Sequence, residues 1–136
     1  AVATCFPAYG KVFGKSIEGN LGAGGVDPTT PAMKAYRKAH MEVTGKPADG
    51  WASANTYVSL QVLEQAIEGV GSVDRKAVTQ FIKDNTFKTI MGDIDFVDQV
   101  SHRYWTVGQW QGGEFYGVAS KGMPNAKPVI LKKGWK

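Results

Sequence analysis

The stretch WASANTYVSLQVLEQAIE, residues 51–68, has the pattern that decides the class of fold. Its apolar side chains fall on two adjoining stripes of a helix: Ala54, Val58, Val62 and Ala66 on one, and Tyr57, Leu60, Leu63 and Ile67 on the other. The polar side is narrow and consists of Gln61, Glu64, Gln65 and Glu68. So wide an apolar face is typical of a helix packed against a sheet, not of a surface helix. The pattern therefore predicts an α/β fold.

The sequence before this helix predicts alternating strands and helices. Residues 1–6 are expected to form a strand, residues 8–17 a short helix and residues 18–24 a second strand. Thr30 and Pro31 are typical of the N-cap and the first position of a further helix. In this order, strands joined through helices predict a partly parallel sheet.

The sequence after the helix changes from a helical to a strand period. Ser72 is expected to cap one more helix, and the period of 3.6 becomes a period of 2 after Asn85. Residues 104–110 and 115–119 flank Gln-Gly-Gly-Glu at 111–114, which is a strong signal for a β-hairpin.

Composition and charge exclude several classes of protein. The 136 residues are 43% hydrophobic and 21% charged, with no long apolar run, which predicts a globular chain without a transmembrane segment. Cys5 is the only cysteine, so no internal disulfide forms, and a small buried side chain is its simplest role. The net charge of +4 comes mostly from scattered lysines and does not favour a nucleic-acid partner.

Candidate catalytic and metal-binding groups are isolated in the sequence. His40 and His102 have no second ligand at helical spacing, and alternation along a strand explains Asp93 and Asp95 as solvent-facing. The nucleophile motif Gly-x-Ser-x-Gly is absent. We therefore predict a protein that is not an enzyme and that uses no metal or cofactor.

The glycine-rich stretch GNLGAGGVDP, residues 19–28, invites comparison with a phosphate-binding loop. A dinucleotide fingerprint that begins at Gly22 continues with Gly24, but its sixth position is Asp27. Pro28 follows where a helix should open on the phosphates. The glycines lie between a predicted strand and a capped helix, which favours a crossover or a hinge.

Six blocks of sequence occur in a recognisable order. They are MKAYRK (33–38), TGKPAD (44–49), YVSLQVLEQAI (57–67), GSVDRKAV (71–78), GDIDF (92–96) and VGQW (107–110). This order resembles the C-terminal part of the periplasmic substrate-binding proteins of ABC importers, closest to the leucine/isoleucine/valine-binding type. The resemblance covers almost the whole chain. One departure is FVDQVSH at 96–102, where the family often has a Phe-Asp-x-x-Gly-Asp turn.

The resemblance implies part of a fold with two three-layer α/β lobes, joined by hinge crossings, of which this chain is a C-terminal fragment. Residues 1–23 would end lobe two, and residues 24–101 would form the C-terminal part of lobe one. Residues 102–121 would return to lobe two as a hairpin, and residues 122–136 would form a tail. The N-terminal remainder, as a separate chain or segment, would cover the wide apolar face of residues 51–68.

The function implied by the resemblance is that of an extracytoplasmic solute-binding component of an ABC transporter. It would capture a small amino acid or related carboxylic acid by hinge closure of the lobes and deliver it to an ABC permease in the membrane. The location would be periplasmic, or extracellular with a lipid anchor. The hinge residues would be Gly22, Gly24, Gly25 and His102. The alternative is a ligand-sensing domain of a receptor with the same fold.

Four residues match positions where this family contacts its ligand. Thr4 and Cys5 would lie at the end of a strand of lobe two, Asp27 just past the crossing, and Trp51 at the start of a helix. Two of them also have a structural explanation. Asp27 can cap the turn at Pro28, and the ring of Trp51 can simply pack against its neighbours.

Overall fold

The structure is a computed structural model that describes residues 2–24, 30–49, 51–101, 107–119 and 126–134. Within these ranges the chain forms four α-helices, two short 3-10 helices and five strands. None of the helices in this part of the chain combines the length and the apolar character that a membrane span requires.

The N-terminal segment is helical where a strand was expected. Val2–Cys5 is a 3-10 helix, followed by α1 (Pro7–Phe13) and a second 3-10 helix, Gly14–Ile17. The prediction of a strand over residues 1–6 is wrong because a strand needs a hydrogen-bonded partner, and no described strand pairs with this segment, although β1 packs against it. The predicted helix and the strand after it are confirmed with shorter bounds, the strand being β1 (Leu21–Ala23).

Helix α2 (Pro31–Thr44) begins where Thr30 and Pro31 predict it. Thr30 Oγ1 accepts a hydrogen bond from the amide of Met33 at 3.2 Å, which satisfies an otherwise unpaired donor of the first turn. Gly45 ends the helix with a φ of 67°. Met33 is buried, whereas Val43 is 85% exposed. Val43 lies in the last turn, beyond the contact of α2 with its neighbours.

Helix α3 (Ala52–Val70) is the long apolar helix that the sequence predicts. Asp49 caps it, since its carboxylate accepts hydrogen bonds from the amides of Trp51 at 2.8 Å and Ser53 at 3.1 Å. At the other end Gly71 adopts a φ of 68° and its amide bonds back to the helix.

The two apolar stripes of α3 have different environments. The inner stripe is buried and consists of Ala54, Val58, Val62 and Ala66. Three side chains of the second stripe are 43–58% exposed, and we call them the outer stripe: Tyr57, Leu60 and Leu63. The described residues therefore cover only half of the predicted apolar face.

Two glutamines that were expected to face solvent bind a strand instead. Gln65 pairs with the backbone of β2 (Phe87–Thr89), donating to the Lys88 carbonyl at 3.0 Å and accepting from the Lys88 amide at 3.3 Å. Gln61 Oε1 accepts from the amide of Ile90 at 3.0 Å. Side-chain amides of α3 thus replace the missing strand neighbour along the edge of β2.

A short helix and a hairpin complete this part of the chain. Helix α4 (Arg75–Asp84) is capped by Asp74, whose carboxylate accepts from the amide of Ala77 at 2.9 Å. The prediction of Ser72 as the cap is wrong, because Ser72 lies two residues earlier and its hydroxyl accepts from the amide of Asp74. Strand β3 (Gly92–Ile94) runs antiparallel to β2.

The predicted hairpin at the end of the chain is confirmed. Strands β4 (Val107–Gln111) and β5 (Glu114–Ala119) are joined by Gly112 and Gly113, with φ values of 62° and 84°. Positive φ at both central residues is what a two-residue hairpin turn needs. Strand β1 pairs antiparallel with β4 to give the order β1-β4-β5. All pairings among the described strands are antiparallel, so the expectation of a partly parallel sheet is not met there.

The apolar core is divided. One cluster, which we call the sheet cluster, lies against β4 and β5 and contains Cys5, Ile17, Trp110 and Phe115. Two further clusters, which we call the helical clusters, are centred on α2 and α3. They contain Met33, Tyr36, Ala48, Ala54, Val58, Ile90 and Ile94 in the first, and Val62, Ala66, Val78 and Phe87 in the second.

A C-terminal strap, residues 126–134, runs along the sheet and is held by one buried side chain. Gln109 is 1% exposed. Its Nε2 donates to the carbonyls of Gly19 and Ile130 at 2.9 and 2.8 Å, and its Oε1 accepts from the Ile130 amide at 2.9 Å. The side-chain amide therefore pairs with Ile130 as a neighbouring strand would.

Candidate ligand-binding site

A cleft of about 770 Å³ opens between the sheet cluster and the first helical cluster. This volume lies in the range of clefts that bind small molecules. Five buried side chains form its apolar floor: Cys5, Ile17, Met33, Trp110 and Phe115. The floor therefore draws on both clusters, and a ligand there would touch both.

Three carboxylates hold the walls of the cleft in place through hydrogen bonds and an ion pair. Both oxygens of Glu18 accept hydrogen bonds from the amide of Gly112, at 3.1 and 3.0 Å, which fixes the hairpin turn on one side. On the other side lies Asp49, which caps α3. Arg37 of α2 and Glu114 of β5 form an ion pair with an Nη2–Oε2 distance of 3.5 Å, joining the two walls.

Two more cations complete the charged lining. Lys11 lies on α1 and Lys15 follows in the next turn, four residues later. The lining therefore contains three cations and three carboxylates, with Arg37 as the third cation.

Cys5 is the most distinctive group on the floor. The residue is 3% exposed. Burial raises the pKa of its thiol to about 11, and the nearby carboxylate of Asp49 acts in the same direction. Cys5 is therefore a neutral, apolar part of the floor at physiological pH.

No metal site is formed by the part of the chain that the structure describes. Within it no three His, Cys, Asp or Glu side chains come together in a way that could hold a metal ion. His40 lies with Nδ1 3.0 Å from the carbonyl oxygen of Lys46, so its ring is engaged by the loop after α2.

The four residues predicted as ligand contacts have different positions. Cys5 lines the cleft. Thr4 lies against β1, where a Cβ at Gly22 would be only 1.8 Å from its Oγ1. The ring of Trp51 packs on Gly24 and against the sheet cluster, as in its structural explanation. Neither Thr4 nor Trp51 is part of the described lining. Asp27 lies outside the described residues.

The predicted hinge residues are only partly visible. Gly22 lies within β1, opposite Gly108 of β4, and is buried. Gly24 has a φ of 80°, which an L-residue rarely adopts, and a Cβ there would overlap the Trp51 ring. Close approach thus explains both glycines, and their role in a hinge stays a prediction. Gly25 and His102 lie outside the described residues.

Sequence reasoning missed three cations of the lining. Arg37 lies within a block quoted for the resemblance, where no role of its own was predicted for it. Lys11 and Lys15 carried a weak signal, since a spacing of four places them on one side of a helical segment. What brings them to the cleft is the hairpin, which is distant in sequence and contacts α1 through the Tyr9 and Trp110 rings and α2 through the Arg37–Glu114 ion pair.

An amphipathic cleft between two apolar cores is typical of a binding protein that holds a small solute between two parts. The family comparison agrees with that class. A sequence model described as periplasmic binding protein matches residues 11–114, which is most of the chain. The chain therefore belongs to the periplasmic binding protein family, whose members bind solutes and are not enzymes.

Solved structures with the same fold agree with this assignment. A leucine-, isoleucine-, valine-, threonine- and alanine-binding protein from Brucella ovis, in a closed conformation, matches with a TM-score of 0.71 and 19% identity, over 98% of this chain and 39% of its own. A leucine-binding protein from Thermotoga maritima has a TM-score of 0.63 and 24% identity, over 84% and 34%. A solute-binding protein from R. palustris, in complex with benzoate, has a TM-score of 0.64 and 16% identity, over 86% and 34%.

The matches cover most of this chain but only part of each solved structure. The chain spans between about a third and two fifths of the length of these structures. Among curated protein sequences none matches the chain.

Proposed function

We propose that this chain is the C-terminal portion of the extracytoplasmic solute-binding component of an ABC transporter, and that it helps to capture a small amino acid or related carboxylic acid. The observation that carries the proposal is the cleft of about 770 Å³ whose floor draws on two separate apolar clusters. Membership of the periplasmic binding protein family supports it. So do structural neighbours whose names include leucine binding and a complex with benzoate.

Capture would occur by closure of two lobes. In this proposal residues 1–23 and 102–121 belong to lobe two, residues 24–101 belong to lobe one, and residues 122–136 form the tail. Ligand selects the closed arrangement because it contacts both lobes only there. The chain would turn at Gly22 to Gly25 and near His102, whereas Trp51 and Thr4 would stabilise the crossing.

The rest of lobe one would come from the N-terminal remainder of the protein. The exposed outer stripe of α3, Tyr57, Leu60 and Leu63, supports this part of the proposal. Three large side chains along one helix form an apolar patch of the kind that a further layer of structure usually covers. With that layer in place α3 would lie inside a three-layer lobe.

The test uses the full-length protein that contains this chain, purified from its native host without added ligand. Native mass spectrometry is expected to detect one small bound solute, and small-angle X-ray scattering is expected to record compaction when the emptied protein is refilled. Absence of any bound solute, together with an unchanged radius of gyration across an amino-acid and carboxylic-acid panel, would contradict the proposal. Calorimetric binding of a nucleotide would instead revive the phosphate-loop interpretation of residues 19–28.

The cellular role is tested separately. We expect the full-length protein in the periplasmic fraction, or on the outer face of the membrane through a lipid anchor, and we expect it to co-purify with an ABC permease. Solute uptake should fall when its gene is deleted. Normal uptake with loss of a ligand-dependent signalling response would identify a receptor domain and not a transport component.

A further inference from the structure

The turn that follows α1 supplies two parts of the cleft. Ile17 lies on its floor and Glu18 on one wall. The short 3-10 helix Gly14–Ile17 ends between them, and the end of a helix leaves carbonyl groups without partners inside the helix. The positions of both side chains therefore depend on the groups that bind these carbonyls from outside.

Lys132 of the C-terminal strap binds two of these carbonyl groups. Its Nζ donates to the carbonyl oxygen of Ser16 and, at 3.3 Å, to that of Glu18. An ammonium group at the C-terminal end of a helical turn is favourable both as a hydrogen-bond donor and as a positive charge. The two carbonyls flank Ile17 in the chain, so Lys132 fixes the backbone on both sides of a floor residue, although Lys132 and Ser16 are 116 residues apart.

The strap also lies directly on the backbone of this turn. A Cβ built at Gly19 would lie 3.0 Å from the Cα of Lys132, so a larger residue there would push against the strap. Gln109 Nε2 donates to the carbonyls of both Gly19 and Ile130. The strap and the turn therefore contact each other directly and also share a buried hydrogen-bonding partner.

These contacts reach the wall of the cleft through Glu18. Its carboxylate accepts hydrogen bonds from the amide of Gly112, which also lines the cleft. None of the described residues of the strap is itself part of the lining. A change in the strap can therefore alter the wall only through the turn and the hairpin, and not by contact with a solute.

We propose that the C-terminal strap is a positioning element of the cleft, with Lys132 as the positioning residue that keeps Ile17 on the floor and Glu18 on the Gly112 amide. This inference rests on the proposed solute-binding function and adds a residue that acts on the site from outside it. The apparent affinity for a solute falls in proportion to the fraction of molecules whose binding surface is in place. Loss of Lys132 therefore weakens binding although the residue does not line the cleft.

The experiment uses the full-length protein, emptied of solute, and two measurements. Hydrogen exchange follows the Gly112 amide without solute, and calorimetry gives the Kd for leucine, the solute in the name of a structural neighbour. A side-chain hydrogen bond changes an equilibrium about fivefold, so Lys132→Met should accelerate exchange at Gly112 and raise the Kd by about this factor. Lys133→Met, at the neighbouring exposed lysine, is the matched control and should change neither.

Two further comparisons separate positioning from a general loss of stability. The amide of Val78, in α4, belongs to the second helical cluster and should keep its exchange rate in Lys132→Met. Lys132→Arg should restore both the protection of the Gly112 amide and the Kd, because a guanidinium group also donates to carbonyl oxygens. Equal acceleration at Gly112 and Val78 with an unchanged Kd would identify a general stabilising role and overturn the inference.

The outcomes also separate the inference from the proposed function. An unchanged Kd or unchanged exchange at Gly112 in Lys132→Met would overturn the inference and leave the solute-binding function intact. If leucine does not bind, the Kd is measured for the solute that native mass spectrometry detects. Absence of any bound solute contradicts the proposed function, and exchange at Gly112 then decides the inference alone: selective acceleration supports it, and unchanged protection overturns it.

Discussion

The buried side chain of Gln109 offers a sharp test of how the C-terminal strap is held. The substitution is Gln109→Leu, which keeps most of the volume and removes every hydrogen bond of the side-chain amide. Three of those bonds go to backbone groups, one to Gly19 and two to Ile130, at 2.8–2.9 Å. A hydrogen bond contributes about 1 kcal/mol net, so the loss amounts to about 3 kcal/mol before solvent compensates.

Water can replace the lost hydrogen bonds more easily at some of these backbone groups than at others. Gly19 is buried, whereas the Ile130 side chain is 38% exposed and its backbone can reach solvent when the strap lifts. We therefore expect Gln109→Leu to lower the free energy of unfolding by about 2–3 kcal/mol. The measurement is urea denaturation of the full-length protein, combined with hydrogen exchange at the Ile130 amide, which should lose its protection.

A neighbouring glutamine provides the matched control. Gln111 extends from the same strand two residues later, and its Nε2 donates to Gln109 Oε1 and to the Pro128 carbonyl, both at 2.9 Å. These bonds are more exposed, so Gln111→Leu should cost about 1 kcal/mol. If Gln109→Leu costs no more than Gln111→Leu, or if the Ile130 amide keeps its protection, the strap is not held in the way the contacts indicate.

Three further substitutions test the close approach at β1, the ion pair between the walls and the thiol on the floor. Gly22→Ala would place a Cβ 1.8 Å from Thr4 Oγ1 and should destabilise by about 1–3 kcal/mol in thermal unfolding; Thr4→Gly should restore part of the loss, and absence of rescue would contradict the overlap. Arg37→Gln and Glu114→Gln should each lower the free energy of unfolding by about 0.2–1 kcal/mol, and the double variant should be no less stable than either single variant. Additive losses in this double-mutant cycle would mean that the pair does not interact. Burial raises the pKa of Cys5 from 9.0 to about 11, so its contribution to stability is fully present below about pH 9 and is lost as the pH rises through about 11. The difference in unfolding free energy between the unchanged protein and Cys5→Ala should therefore change between these pH values. A difference that stays constant over this window would refute the assignment.

The helices could be predicted from the sequence because their signals are local. Thr30, Asp49 and Gly71 lie within a turn of the helix ends that they fix. The strand predicted for residues 1–6 had no comparable signal. A strand depends on a partner that is distant in sequence, and in the described structure this segment has none.

The cleft could be predicted only in part. Cys5 was expected at the site and lies on its floor, whereas Arg37 and the two lysines reach the site through contacts between elements far apart in the chain. Arg37 and Glu114 are 77 residues apart, and no periodicity in the sequence relates them. Trp51 was expected as a ligand contact; its ring packs on the glycine backbone at Gly24, and its contact with a ligand stays a prediction.

The two-glycine turn between β4 and β5 has a practical consequence for engineering selectivity. Gly112 and Gly113 line the cleft, and a Cβ built at either position meets no heavy atom within 4 Å. The φ of 62° at Gly112 is one that asparagine adopts readily, and Asn-Gly is the favoured pair for a hairpin turn of this kind. Gly112→Asn would therefore add a side chain to the wall without opposing the backbone, so the size of accepted ligands becomes adjustable at a position where the fold itself tolerates the change.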